Sequence, residues 1–80
     1  KPTFEIFPNP VNNEMFVRFY HTDKRSSMLR VFNSIGGLIT EKIIKDENTE
    51  LNAADWASGM YFLQLTSGQY SLCRKVVIEH

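Results

Sequence analysis

Few residues of this 80-residue chain are of the types that perform catalysis or hold a metal ion. The histidines are His21 and His80, and neither lies in a recognisable motif with a serine or with the single cysteine, Cys73. Nucleophilic catalysis needs a nucleophile, a base and an orienting group within hydrogen-bond reach, and zinc prefers four nitrogen or sulfur ligands. We therefore expect no enzyme active site and no zinc site.

An acidic stretch, Asp46-Glu47-Asn48 followed by Glu50, offers the oxygen ligands that calcium prefers. The residue spacing of an EF-hand loop is absent, however. A charged, solvated turn is the better interpretation. No glycine-rich phosphate loop joins a strand to a helix, so we expect no metal and no cofactor.

The charge balance narrows the classes of partner. Lys plus Arg and Asp plus Glu number nine each, which argues against a nucleic-acid-binding module and against electrostatic attachment to an anionic membrane. No apolar run reaches the roughly 18–20 residues that span a bilayer, so we expect no direct membrane insertion. A single cysteine permits no intrachain disulfide. We expect Cys73 to be a small, partly buried hydrophobic side chain rather than a reactive thiol.

The length and the first residues indicate a fragment of a longer protein. Eighty residues suffice for one domain with one compact core. The first residues, Lys1-Pro2-Thr3, are not followed by the apolar segment of a signal peptide. We therefore expect residues 1–80 to be one domain excised from a larger secreted or surface protein.

Apolar residues recur with period two in short runs separated by turn residues, which is typical of all-β proteins. The pattern predicts seven strands, at residues 3–7, 14–21, 27–33, 38–44, 49–52, 60–66 and 70–79. Seven short strands predict a seven-stranded antiparallel Ig-like β-sandwich. Strands one and two, three and four, and six and seven have hairpin-length connections, whereas the fifth strand should cross to the other sheet before the sixth.

The alternation also predicts which side chains face the core and how some turns are made. Met15, Val17 and Phe19 should share the inner face of the second strand, and Leu29 and Val31 that of the third. The glycines of the turn at 34–37 should supply left-handed backbone. The stretch 53–57 is expected to form a single helical turn.

Two aromatic residues near the sixth strand have structural interpretations. Trp56, flanked by alanines, is expected to cap the open end of the core rather than to bind a sugar. Tyr61 is expected to bond its hydroxyl back to the preceding loop, as the tyrosine corner of Ig-like domains does.

Four short motifs follow one another along the chain. They are Pro8-Asn9-Pro10; Val31-Phe32-Asn33 with Gly36 and Gly37; Leu51-Asn52 leading to Gly59-Met60-Tyr61; and Lys75-Val76-Val77-Ile78. In this order the motifs resemble the C-terminal sorting domain of the type IX secretion system of Bacteroidetes-type bacteria, from Phe4 to Ile78. Trp56, where that family more often has Leu, and the final Glu79-His80 depart from the pattern.

The resemblance implies a sorting signal rather than a catalyst. Its cargo would pass through the periplasm and be directed by the type IX translocon to the outer membrane surface or the medium. For many such proteins a sortase-like cell-surface protease then removes the domain and joins the new C-terminus to anionic lipopolysaccharide. A few components of the machinery keep theirs. The resemblance does not identify the cargo.

The motifs themselves admit alternatives. The translocon could read Lys75–Ile78 at a sheet edge by strand addition, together with the strand beside it; alternatively, Lys75–Ile78 is simply a core strand. Pro8-Asn9-Pro10 either ends the first strand or holds an upstream linker extended for the sortase-like protease. An exposed edge would also allow a dimer.

A different function would be an accessory binding or spacer module. Such a module predicts an exposed aromatic patch on one sheet face, formed by Phe16, Tyr20 and Phe32.

Overall fold

The computed structural model describes residues 3–8, 11–20, 27–44, 47–68 and 70–80. Seven strands account for most of them: β1 Thr3–Phe7, β2 Glu14–Tyr20, β3 Ser27–Asn33, β4 Leu38–Ile44, β5 Asn48–Asn52, β6 Gly59–Ser67 and β7 Tyr70–Ile78. Each observed bound lies within one residue of the sequence prediction; His21, the predicted end of β2, falls outside the described residues. No described segment forms a helix long and apolar enough to cross a membrane.

The strands form two antiparallel sheets, a three-stranded one in the order β1-β2-β5 and a four-stranded one in the order β4-β3-β6-β7. The three predicted hairpins pair within a sheet, and β5 leads across to β6 in the other sheet. The all-β sandwich prediction is confirmed. β4 pairs with β3 rather than with β5, so it lies in the sheet of β3, β6 and β7, whereas the fourth strand of the constant-type Ig arrangement lies in the other sheet.

The core lies between the sheets and follows the period of two. Met15, Val17 and Phe19 are buried along β2, and Leu29 and Val31 along β3, as predicted. Burying such side chains between two sheet faces is the main stabilising contribution in a chain with no disulfide. The full set of buried hydrophobic residues is Phe4, Val11, Met15, Val17, Phe19, Leu29, Val31, Ile44, Leu51, Ala53, Tyr61, Leu63, Leu65, Val76 and Ile78.

The prediction for Cys73 is wrong, because its side chain is exposed. Val76 and Ile78 are buried, so even-numbered side chains of this part of β7 face the core and odd-numbered ones face outward. Cys73 pairs with Gln64 on the outer face of the four-stranded sheet. Alternation along the strand therefore outweighs the usual preference of free cysteine for burial.

The two ends of the sandwich are distinct surfaces. One end we call the motif end: β1, β3, β5 and β7 end there, and β2, β4 and β6 begin there. The far end is the opposite one, at which β1, β3, β5 and β7 begin. Thr3 pairs with Tyr20 there, so the chain enters the sandwich from the far end.

Candidate functional site

Described residues of all four sequence motifs reach the motif end, although they come from distant parts of the chain. Asn33 pairs with Tyr61 across β3 and β6, and Tyr61 pairs with Val76 across β6 and β7. Val11, directly after Pro10, forms a parallel bridge with Ile78. The structure thus brings together the candidate residues of this site that it describes.

Side chains of the last motif, Lys75–Ile78, point alternately outward and into the core. Val76 and Ile78 are buried, with 1% and 0% of their surface exposed. Lys75 is exposed and Val77 is half-buried on the outer face. Gly59 pairs with Ile78, which places the start of the third motif beside the end of the fourth.

Val11 closes the edge of β7 at its end. Its backbone N–H donates to the carbonyl of Val77 at 2.8 Å, and the N–H of Glu79 donates to the carbonyl of Val11 at 2.8 Å. The expectation of an open edge along all of Lys75–Ile78 is therefore wrong at its C-terminal part, because one residue of the β1–β2 connection already pairs there. Pro8 is exposed, and Asn9 and Pro10 lie outside the described residues.

The preceding part of β7 faces a groove. Since the backbone groups of Val77 point away from β6 toward Val11, those of Lys75 and Cys73, two and four residues earlier, point the same way. No described strand pairs with β7 on that side. The Arg74 guanidinium donates to the Cys73 carbonyl at 3.3 Å and lies 5.4 Å from the centre of the Phe4 ring. A groove of about 310 Å³ separates this edge from β1.

The β3–β4 hairpin is held by the side chain of Asn33. Its Oδ1 accepts hydrogen bonds from the N–H groups of Gly37 at 2.7 Å and of Ile35 at 3.2 Å. Of the two glycines, only Gly36 has left-handed backbone, with φ of 87°, so the prediction is wrong for Gly37. A Cβ on Gly37 would lie 3.0 Å from the side-chain nitrogen of Asn33. Glycine therefore suits this position because the Asn33 side chain approaches its backbone closely.

The β5–β6 connection makes a hydrogen-bonded turn, not the predicted helical turn. The N–H of Trp56 donates to the carbonyl of Ala53 at 3.1 Å. The N–H of Ala53 itself donates to the carbonyl of Asn13 at 2.7 Å. This second bond attaches the start of the β5–β6 connection to the segment between β1 and β2. The bond from Trp56 to Ala53 spans three residues rather than the four of an α-helix, and the chain then crosses to the other sheet.

Trp56 and Tyr61 occupy their predicted places. Trp56 is half-buried and packs against the core, and its ring centre lies 5.3 Å from that of Tyr61. The Tyr61 hydroxyl donates to the carbonyl of Ala57 at 2.7 Å, which confirms the expected bond to the preceding loop. Gly59 follows with φ of 150°, a value that residues bearing a side chain rarely adopt.

His80 packs onto the same loop. Its ring Nε2 donates to the carbonyl of Trp56 at 2.6 Å, and its backbone N–H donates to the Ser58 hydroxyl at 3.2 Å. No local sequence pattern predicts these contacts, since they join the end of β7 to a loop more than 20 residues earlier. They add to the hydrogen bonds that hold the β5–β6 connection.

A second groove, of about 490 Å³, lies between the β3–β4 hairpin and the β5–β6 connection. Ile35, Ile39, Trp56 and Met60 line it, and Asp55 is the one charged residue among the eleven described residues around it. Ile35 has 89% of its surface exposed. The groove is therefore chiefly apolar and open to solvent.

On the three-stranded sheet, two carboxyl groups share a hydrogen bond. The Glu14 carboxyl hydrogen-bonds to Glu50 and repels its charge, which raises the pKa of Glu50, while Lys42 opposes the shift. Glu50 was considered above as a calcium ligand. Its described neighbour is another carboxyl group, which would compete with it for a cation rather than complete a ligand set with the Asp46 stretch.

The aromatic patch predicted for a binding module is not assembled. Phe16 lies on the outer face of the three-stranded sheet and Phe32 on that of the four-stranded sheet, so they face opposite sides of the sandwich. The side chain of Tyr20 is outside the described residues. Phe16 instead stacks on Phe7, with ring centres 5.9 Å apart.

Comparison with known proteins relates this chain to a family of sorting domains. The family described as "Secretion system C-terminal sorting domain" matches residues 5–79. A curated relative, the Beta-agarase A of Zobellia galactanivorans, is 30% identical over 60 residues. That alignment covers 75% of this chain and 11% of the relative, so the chain corresponds to a small part of that protein.

Proposed function

We propose that this chain, which belongs to the secretion system C-terminal sorting domain family, directs the protein that carries it through the type IX system by presenting its motif end for recognition. Family membership supports a sorting role and interaction with that secretion system, with export to the outer membrane or the extracellular space. The observation that carries the proposal is the convergence of the four family motifs on one end of the sandwich. Such a domain acts by being bound rather than by catalysis.

Two finer steps belong to the proposal. The cargo first crosses the periplasm, and the motif end then meets the translocon. A sortase-like protease cuts near or before Lys1, upstream of Thr3, the first described residue that pairs in the sheet. Because proteases act on backbone that is free of secondary structure, the cut falls at the far end, on the opposite side from the motifs.

The edge of β7 is the proposed place for strand addition by the translocon. A partner strand would pair with the backbone of Lys75 and, by displacing the Arg74 guanidinium from its carbonyl, with that of Cys73, while Val11 limits how far it extends. The alternative, that the last motif is a core strand, is supported by the burial of Val76 and Ile78. A Val77→Asp variant that stays folded and is still exported normally would rule out the strand-addition version.

The same open part of the edge offers a second copy a place to pair, so dimerisation through β7 stays part of the proposal. For Pro8-Asn9-Pro10, the bonds of the neighbouring Val11 to β7 favour a structural role over that of an extended linker.

The test is a reporter fusion. The chain, with the linker that precedes it in its parent protein, is joined to the C-terminus of a periplasm-targeted fluorescent protein in a bacterium with the type IX system. We expect the reporter at the surface or in the medium, and only when the translocon is intact. A drop in size would add cleavage. A folded reporter that remains in the periplasm would favour an accessory binding module or a domain retained in a machinery component.

A further inference from the structure

Exposed apolar side chains are concentrated at the motif end. Seven large hydrophobic side chains among the described residues are exposed, and six of them lie in this half of the sandwich; the exception is Ile43. Four of the six, Ile35, Leu38, Ile39 and Met60, belong to the four-stranded sheet and its hairpin. We call these four residues the apolar rim. Ile35, Ile39 and Met60 line the 490 Å³ groove together, and exposed apolar residues grouped in this way often mark an interaction site.

The apolar rim is held in place before any partner arrives. Asn33 fixes the hairpin tip through its bonds to Ile35 and Gly37. On the other side of the groove, the loop that carries Trp56 is fixed by Tyr61 and His80. A preorganised surface loses little conformational freedom on binding, which favours affinity.

The groove's shape and charge favour a protein partner over a lipid surface. Its 490 Å³ form a concave pocket into which a protruding side chain of a partner fits. Asp55 is the one charged residue among those described around the groove, whereas attachment to anionic lipid relies on clustered lysine or arginine.

The path of the chain leaves this end accessible. β1 enters from the far end, so a preceding cargo attaches there. The cargo can be large, as the relative of which this chain matches 11% illustrates. A receptor that approaches from the motif end therefore meets the apolar rim before it meets the cargo.

We propose that the apolar rim and its groove bind an apolar segment of the outer-membrane protein that recognises this sorting domain, with Ile35 as the main anchor. This inference rests on the proposed sorting function and adds the surface and the chemistry of its partner. Anchors of this type, inserted near the centre of an interface, carry a large share of binding.

Two matched substitutions test it in the reporter fusion. Ile35→Thr removes the anchor, and Ile43→Thr changes an isoleucine with 58% of its surface exposed, toward the far end of the same sheet. We expect export to fall about tenfold for Ile35→Thr and to stay within about twofold of wild type for Ile43→Thr. Resistance of the fusion to limited proteolysis checks that both remain folded; if Ile35→Thr does not, Met60→Gln takes its place.

The outcomes separate the inference from the sorting function. Wild-type reporter that is not exported contradicts the sorting function itself. Export of wild type together with undiminished export of the folded Ile35→Thr variant overturns the inference alone. Light scattering supplies a further outcome: a wild-type dimer that Ile35→Thr dissociates without loss of export would assign the rim to a second copy and overturn the receptor contact.

Discussion

The motif end and the far end share one core but differ in their surfaces. At the motif end, the side chains of Asn33, Asn52 and Tyr61 hydrogen-bond to loop backbone, and exposed apolar residues surround a groove. At the far end, β1 begins, and the buried polar residues Ser27 and Ser67 close the sandwich. This difference is the basis for proposing recognition at the motif end and cargo attachment at the far end.

The largest effect on stability is expected from truncating a buried isoleucine at each end, which tests whether the two ends share a core. Ile78 at the motif end and Ile44 at the far end have 0% and 4% of their surface exposed. Ile78→Ala and Ile44→Ala should each lower the free energy of unfolding by about 2–5 kcal/mol. Urea denaturation of the two variants measures this. A loss well under about 1 kcal/mol for Ile44→Ala, with a loss of about 2–5 kcal/mol for Ile78→Ala, would contradict a core shared by both ends.

A smaller effect is expected from substituting Gly59, the first residue of β6, and Gly68, the residue after its last. Gly59 has φ of 150° and Gly68 has φ of 58°. Asparagine tolerates left-handed backbone near 58° but not a φ of 150°. Gly59→Asn should therefore destabilise the domain by about 1–3 kcal/mol and Gly68→Asn by clearly less.

Thermal unfolding of the two glycine variants provides the measurement. Equal shifts in Tm would show that the motif end does not depend on the special backbone of Gly59. A larger shift for Gly59→Asn would assign that glycine of the third motif a structural role in addition to any role in sorting.

The strands could be predicted from the sequence because each is a local pattern. Alternation placed Met15, Val17 and Phe19 inside without knowledge of the other sheet. The bond of Tyr61 to the preceding loop was predictable for the same reason, since it joins residues four apart.

What sequence reasoning missed depends on contacts between distant segments. The pairing of Val11 with β7 joins residues 67 apart through one bridge, which leaves no periodic signal. The contacts of His80 with the β5–β6 connection are equally non-local. The groove and the apolar rim arise only when the β3–β4 hairpin meets that connection.

Site-specific photo-crosslinking in the living host tests the assignment of the two ends most directly. A photoreactive amino acid replaces Ser34 at the motif end or Glu47 at the far end, both of which are exposed, in the reporter fusion of a strain whose translocation is stalled. We predict that position 34 crosslinks to an outer-membrane protein of the secretion system and that position 47 does not. Crosslinks from position 47 alone, or equal crosslinks from both positions, would contradict recognition at the motif end.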